Sequence, residues 1–123
     1  MKSPLLVRYL VTTGVFLLID VAWLALIAPK LYKANIGHLM ADKPNLPAAG
    51  VFYLLYIAAL LFFVIDPALV KGGAFLGLVM YATYDLTNLA TLKDWPLKIT
   101  AIDLAWGTFI TAATCGIVTR IFL

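Results

Sequence analysis

The sequence predicts an all-α integral membrane protein, a bundle of four transmembrane helices whose two termini lie on the same side. Of its 123 residues, 64% are hydrophobic and 12% are charged, whereas a soluble domain is about half apolar and a quarter charged. The apolar residues fall in four runs, each long enough to cross a hydrocarbon core of about 30 Å as a helix. An ordinary soluble domain, a disordered tail and a disulfide-rich module are therefore excluded.

The whole chain, residues 1–123, is predicted to form one domain with four spans. These spans are predicted at about residues 5–28, 48–65, 73–92 and 96–121. Pro29 is expected to stop the first span. Pro47 and Pro96 fall at the start of the second and fourth spans. Proline fits the first helical turn because the backbone N–H groups there make no hydrogen bond within the helix.

The connections between the spans differ in length. We name the end of the bundle that carries the N-terminus end A and the opposite end B. Links of a few residues make tight hairpins of spans two and three at end A, and of spans three and four at end B. The connection from Pro29 to Pro47 is longer. Its apolar residues share one helical face beside two lysines, which predicts a short amphipathic helix on the membrane surface, with an irregular loop as the alternative.

The positive charge is spread over the ends of the spans. The net charge is +3, from nine Lys and Arg residues against six acidic ones. Scattered basic residues are typical of anchors in the lipid headgroup region and not of a nucleic-acid surface. Ends A and B carry similar numbers of basic residues, so the orientation stays open. Trp23 and Trp95 are also expected to be interface anchors.

Three aspartates, Asp20, Asp85 and Asp103, fall inside the predicted spans. All three are expected in the half near end B, roughly 7 to 14 Å inside their helices. Each charged aspartate in mid-span costs about 2.5–3.5 kcal/mol, so the three should face one another or a wet cavity. No basic residue lies deep enough to pair with them, and at least one should therefore be protonated at neutral pH.

Polar residues around these aspartates complete a candidate ligand site. Tyr53 and Tyr56 share a face of the second span and are able to offer hydroxyl groups to a carboxylate. Tyr81 and Asn88 share the face of Asp85, and Trp106 lies one turn beyond Asp103, where it either walls a pocket or simply packs. The alternative is that the aspartates are structural and hydrogen-bond neighbouring helices together.

The residue types in the chain argue against a metal site and against a serine nucleophile. The chain has no Glu and no His within a span, which argues against a di-metal bundle, and no metal site is predicted. Ser3 is the only serine and lies outside the spans, so a serine nucleophile is excluded. His38 is interpreted as a solvated surface residue or a ligand contact, and Cys115 as a small buried hydrophobe. No cofactor can be assigned.

Several segments of the chain carry a resemblance. They are Ile19-Asp20-Val21-Ala22-Trp23 and Ile102-Asp103-Leu104-Ala105-Trp106, the run YATYDLTNLATL over residues 81–92, and Gly37-His38-Leu39. With these motifs the chain resembles a family of small bacterial predicted membrane proteins known as a domain of unknown function. The resemblance implies four spans in a bacterial inner membrane and no established activity. It also implies a lipid-linked role, and it adds His38 to the candidate site.

Three functions follow as hypotheses. The first is binding or handling of a lipid or small hydrophobic molecule, in which an aspartate of raised pKa would be the general acid or base if there is chemistry. The second is a small proton- or ion-coupled transporter, formed as a homo-oligomer. The third is an accessory subunit of a larger membrane complex. Membrane lipids are the expected partners, and nucleic acid is not. The candidate ligand residues are Asp20, His38, Tyr53, Tyr56, Tyr81, Asp85, Asn88, Asp103 and Trp106.

Overall fold

The computed structural model describes residues 3–69 and 71–122, and these residues form an all-α structure. Five α-helices account for most of the described chain. They are α1 (Leu5–Leu26), α2 (Ala28–Ile36), α3 (Leu46–Leu60), α4 (Lys71–Thr91) and α5 (Leu97–Phe122). A short 3₁₀ turn follows α2, and a π-helical turn over Leu61–Ile65 extends α3. The predicted all-α class is confirmed, and the ends of the four long helices differ from those of the predicted spans by one or two residues.

Three of these helices are long and apolar enough to cross a membrane: α1, α5, and α3 together with its π-helical extension. The third predicted span, residues 73–92, corresponds to α4. It has 21 residues, which suffices in length, but it is not among the three, because its second half carries Tyr81, Tyr84, Asp85 and Asn88. A membrane protein with at least three apolar helices is thus established, and a count of four spans stays a prediction.

The long connection after α1 is helical, as its amphipathic pattern predicts. The first helix ends at Leu26, and α2 begins two residues later with Pro29 in its first turn. Pro29 therefore starts a new helix, a position that suits a residue without an amide hydrogen. Ile36 is buried against the bundle, whereas Lys30 and Lys33 are exposed.

An ion pair and a hydrogen bond fix the direction of α3 relative to α1. The guanidinium of Arg8 binds both carboxylate oxygens of Asp66, at 3.0 and 3.1 Å, and such bidentate pairs are geometrically specific. Further along, Tyr53 on α3 contacts Asp20 on α1. Arg8 and Asp20 thus pair with α3 in reverse order, so the two helices are antiparallel. Since Tyr32, just beyond α1, contacts Asp103 near the start of α5, α5 runs back towards the end at which α1 begins.

The closest helix packing is between α4 and α5, where small residues face each other. A Cβ atom at Gly73 would lie 3.1 Å from the Cβ atom of Cys115. A Cβ atom at Gly77 would overlap the carbonyl oxygen of Gly107 and the side chain of Thr111. Small residues allow helix backbones to approach closely in membrane proteins. The lack of a side chain at Gly77 is therefore a requirement of this interface.

We predict that Gly77→Ala destabilises the protein by about 1–3 kcal/mol, the usual cost of inserting a methyl group into a filled interface. The measurement is thermal unfolding in mild detergent, followed by circular dichroism. Gly14→Ala on α1 is the matched control, because a Cβ atom there meets nothing within 4 Å. An equal effect of the two substitutions would show that the α4–α5 contact is not as tight as described.

Candidate functional site

The three intramembrane aspartates predicted from the sequence are all buried. Asp20 is 6% exposed, Asp85 is fully buried and Asp103 is 5% exposed. They come from α1, α4 and α5 respectively. Burying a charged or polar group is expensive unless a partner compensates it. The partners of each carboxyl group therefore describe what the site can do.

Asp20 has a partner on α3. The hydroxyl of Tyr53 donates a hydrogen bond of 2.6 Å to one carboxyl oxygen of Asp20. This pair was anticipated, since Tyr53 was expected to offer its hydroxyl to a carboxylate. The contact also ties α1 to α3 in the half of the bundle near end B.

Asp103 has a partner on α2. The hydroxyl of Tyr32 donates a hydrogen bond to a carboxyl oxygen of Asp103. Burial, together with the hydrogen bond to Asp103 and its charge, raises the pKa of Tyr32 well above its ordinary value, so the hydroxyl remains a donor throughout the physiological range. Sequence reasoning missed this contact because it assigned Tyr32 to a surface helix. The aromatic and hydroxyl character of Tyr32 on the inner face of α2 was the available signal.

Asp85 has no compensating partner. Neither of its carboxyl oxygens is hydrogen-bonded by any described residue. The carboxyl group of Asp103 and the indole of Trp95 lie beside it, but the indole nitrogen of Trp95 donates instead to the hydroxyl of Thr100, at 3.1 Å. Asp85 and Asp103 thus form a buried pair of acids that no cation among the described residues contacts. Such a pair is unfavourable when both groups are ionised.

The other two candidate tyrosines do not bind a carboxylate. The hydroxyl of Tyr56 forms its hydrogen bond with Thr111 on α5. The ring of Tyr81 lies over Gly107, where it occupies the space a side chain would need, and it meets Tyr56 edge-on with 6.3 Å between ring centroids. Both tyrosines are thus part of the packing between α3, α4 and α5 around the site.

The tryptophans pack within the bundle. Trp106 stacks on Trp23 with 4.4 Å between ring centroids and 11° between ring planes. Trp23 and Trp95 are 9% and 8% exposed, so they are not the exposed interface anchors that the sequence suggested. The indole nitrogen of Trp106 has no hydrogen-bond partner among the described residues. Trp106 was expected either to wall a pocket or to pack, and its stacking on Trp23 is a packing contact.

The last two candidate residues lie at the margin of the site. Asn88 is half-buried on α4, one turn beyond the hydroxyl-bearing Tyr84 and in reach of it. His38 lies on the surface, with its Nε2 atom 3.3 Å from a carboxylate oxygen of Asp94. The side chains of His38 and Asp94 are both more than half exposed. The structure therefore does not bring His38 into the cluster of aspartates.

Two cavities share Asp103 as a lining residue. The lateral cleft, about 660 Å³ in volume, lies between α3 and α4, with Asp103 at its floor. Its other lining residues include Phe52, Tyr56, Val79, Met80 and Tyr84. The end-B cavity, about 530 Å³, lies under α2 and includes Leu24, Tyr32, Ile36 and Trp95. Asp103 and Tyr84 line both cavities. Tyr84 was not among the sequence candidates.

Among residues 3–69 and 71–122, no three His, Cys, Asp or Glu residues are grouped so that they could hold a metal ion. Cys115 is free and buried. The site therefore consists of carboxyl, hydroxyl and aromatic groups.

The apolar helices and the buried acid site define a helical membrane protein. Comparison with known families agrees: the chain belongs to the family described as "Predicted membrane protein (DUF2177)", whose profile matches residues 5–120. The family resemblance noted from the motifs is thereby confirmed. No curated protein and no solved structure is similar enough to match the chain.

We predict that Tyr32→Phe loosens α2. The substitution removes the hydrogen bond from the Tyr32 hydroxyl to Asp103, and a hydrogen bond to a charged group contributes about 1.5–3 kcal/mol. Amide hydrogen exchange in α2 should accelerate about tenfold or more. Tyr9→Phe is the control, because the Tyr9 hydroxyl bonds the carbonyl of Leu54, away from α2. Unchanged exchange in α2 would show that Tyr32 does not hold this helix.

Proposed function

We propose that the protein binds a lipid or another amphiphile and holds its apolar tail in the lateral cleft. The observation that carries the proposal is the combination of apolar walls with a single buried carboxyl group at the floor of this cleft. Ligand sites in proteins are typically concave, of about 300–1,000 Å³, and mostly apolar with a few polar groups that orient the ligand. The lateral cleft, at about 660 Å³, has these properties.

The cleft opens sideways. Phe52 and Val79, on opposite walls, are 47% and 43% exposed, and Tyr84 is 59% exposed. In a membrane, the molecules beside such an opening are lipids. An acyl chain is thus the occupant that the surroundings supply and that the apolar walls accommodate at no cost in polar desolvation.

The proposal includes α4 as the fourth span. With 21 residues, the helix is long enough to cross about 30 Å of hydrocarbon. Its most costly residue, Asp85, is fully buried against α5, where it does not meet lipid. The glycines at 73 and 77 also face α5. The four long helices then form one membrane bundle with both termini at end A.

We predict that Val79→Trp removes co-purified lipid from the protein, because the larger side chain fills the cleft. The measurement is native mass spectrometry of protein released from mild detergent, with lipid extraction from the same sample. Val21→Trp is the matched control, since Val21 is similarly exposed, at 57%, but lies on α1 outside both cavities. Equal lipid occupancy in the two variants would contradict the proposal.

Proton transfer is a second candidate function, favoured by a row of buried hydroxyls on α5. Thr111, Thr114 and Thr119 are at most 5% exposed and continue from Asp103 towards end A. The hydroxyls of Thr114 and Thr119 have no hydrogen-bond partner among the described residues. Unpartnered buried hydroxyls together with a buried acid are the groups that a proton relay requires.

If the second candidate is correct, Asp85→Asn abolishes proton flux into liposomes containing the protein, and Thr114→Val lowers it several-fold. A pH-sensitive dye inside the liposomes measures the flux under an imposed gradient. Thr13→Val is the control, because the Thr13 hydroxyl is bonded within its own helix, to the carbonyl of Tyr9. A protein without flux above empty liposomes excludes this candidate and leaves lipid binding untouched.

A further inference from the structure

The point where the two cavities meet determines which end of an amphiphile can lie there. Asp103 and Tyr84 line both the lateral cleft and the end-B cavity. The ring of Tyr84 meets the ring of Trp95 edge-on, at 5.7 Å between centroids. A ligand with its tail in the cleft would therefore place its polar head against the carboxyl group of Asp103.

We propose that this head group is a hydrogen-bond donor, a hydroxyl or an ammonium group, and that the site rejects lipids with an anionic head. The inference rests on the proposed lipid binding and adds the chemical class of the ligand. It assigns the tail to the lateral cleft and the head to the junction at Asp103, facing the end-B cavity.

The groups at the junction are mainly acceptors. Asp103 accepts one hydrogen bond from Tyr32, and a carboxylate has room for several more. Behind it lies Asp85, fully buried and with both oxygens unpartnered among the described residues. A donor bound at Asp103 would compensate an acid pair that the described residues leave uncompensated. Polar groups left without partners in this way strongly favour a ligand that supplies the missing bonds.

The same charges disfavour an anion. No Lys, Arg or His is among the described residues that line either cavity. The basic side chains nearest along the chain to the lining residues are all exposed: Lys30, Lys33, Lys93 and Lys98. His38 is also exposed and lies against Asp94. A carboxylate or phosphate head at Asp103 would lose its hydration and face a like charge.

The donors at the junction do not alter this conclusion. The Tyr32 hydroxyl is committed to Asp103, and the Trp95 indole to Thr100. The Tyr84 hydroxyl is within reach of the Asn88 amide. An anionic head would therefore meet only neutral donors among the described lining residues, beside two neighbouring carboxyl groups.

The test compares four amphiphiles with the same saturated chain: a fatty alcohol, a fatty amine, a fatty acid and an alkyl phosphate. Each is titrated into the full chain in nanodiscs of zwitterionic lipid, and the bound fraction is measured by native mass spectrometry. Nanodiscs without protein are titrated in parallel to correct for partitioning into the bilayer. We expect the alcohol and the amine to bind at least tenfold tighter than the two anions.

Two variants assign the preference to the junction. Asp103→Asn keeps an acceptor oxygen but removes the charge, so the amine should lose at least tenfold in affinity and the alcohol much less. Asp42→Asn is the matched control, because Asp42 is exposed in the connection between α2 and α3. If Asp103→Asn fails to fold, the ranking of the four ligands on the unmodified chain still decides.

The outcomes separate this inference from the proposed function. Equal binding of all four ligands, weakened in each case by Val79→Trp, would overturn the head-group assignment and keep the cleft as a tail site. Tighter binding of the anions would also overturn the assignment. No binding of any of the four would contradict the proposed function itself.

Discussion

The close contact between α4 and α5 is the constraint on which the site depends. A Cβ atom at Gly77 would overlap the backbone of Gly107, and one at Gly107 would overlap the ring of Tyr81. The two helices therefore approach as near as backbones allow, and this approach sets Asp85 beside Asp103 and seals it from solvent. Because α4 is too polar to rank with the apolar helices by composition, the proposal that α4 is a fourth span depends on α5 covering this acid.

The three acids are then compensated to different degrees, and this difference is the basis of the functional argument. Asp20 and Asp103 each receive a tyrosine hydroxyl, from α3 and α2 respectively. Asp85 receives none among the described residues. A purely structural acid would be expected to have its partners, because an unsatisfied buried group lowers stability. The unpartnered Asp85, beside the Asp103 that lines both cavities, therefore favours a ligand site or a proton site over simple hydrogen bonding between helices.

Much of this arrangement could be predicted from the sequence, and the failures have a common physical cause. Hydropathy and proline positions were enough to place the helices to within one or two residues, and the cost of intramembrane charge was enough to predict that Asp20, Asp85 and Asp103 are buried. The periodicity of a helix defines its polar face, but not how far the neighbouring helix is rotated towards it. Tyr53 and Tyr56 share a face, yet only Tyr53 meets a carboxylate, while Tyr56 meets Thr111. The stacking of Trp23 on Trp106 could not be predicted for the same reason, because the rotation of α1 relative to α5 does not follow from the periodicity of either helix.

The helix α2 contributes to the site through Tyr32. This helix forms one wall of the end-B cavity, and its Tyr32 hydroxyl binds the carboxyl group that the proposed ligand also contacts. A head group at Asp103 would share that carboxyl group with Tyr32, so ligand binding and the docking of α2 are thermodynamically linked, whatever the sign of the coupling. The lateral cleft, in contrast, is open between α3 and α4 with α2 docked. The proposed tail site is therefore reached from the side of the bundle without any movement of α2, and only the head-group contact at Asp103 involves this helix.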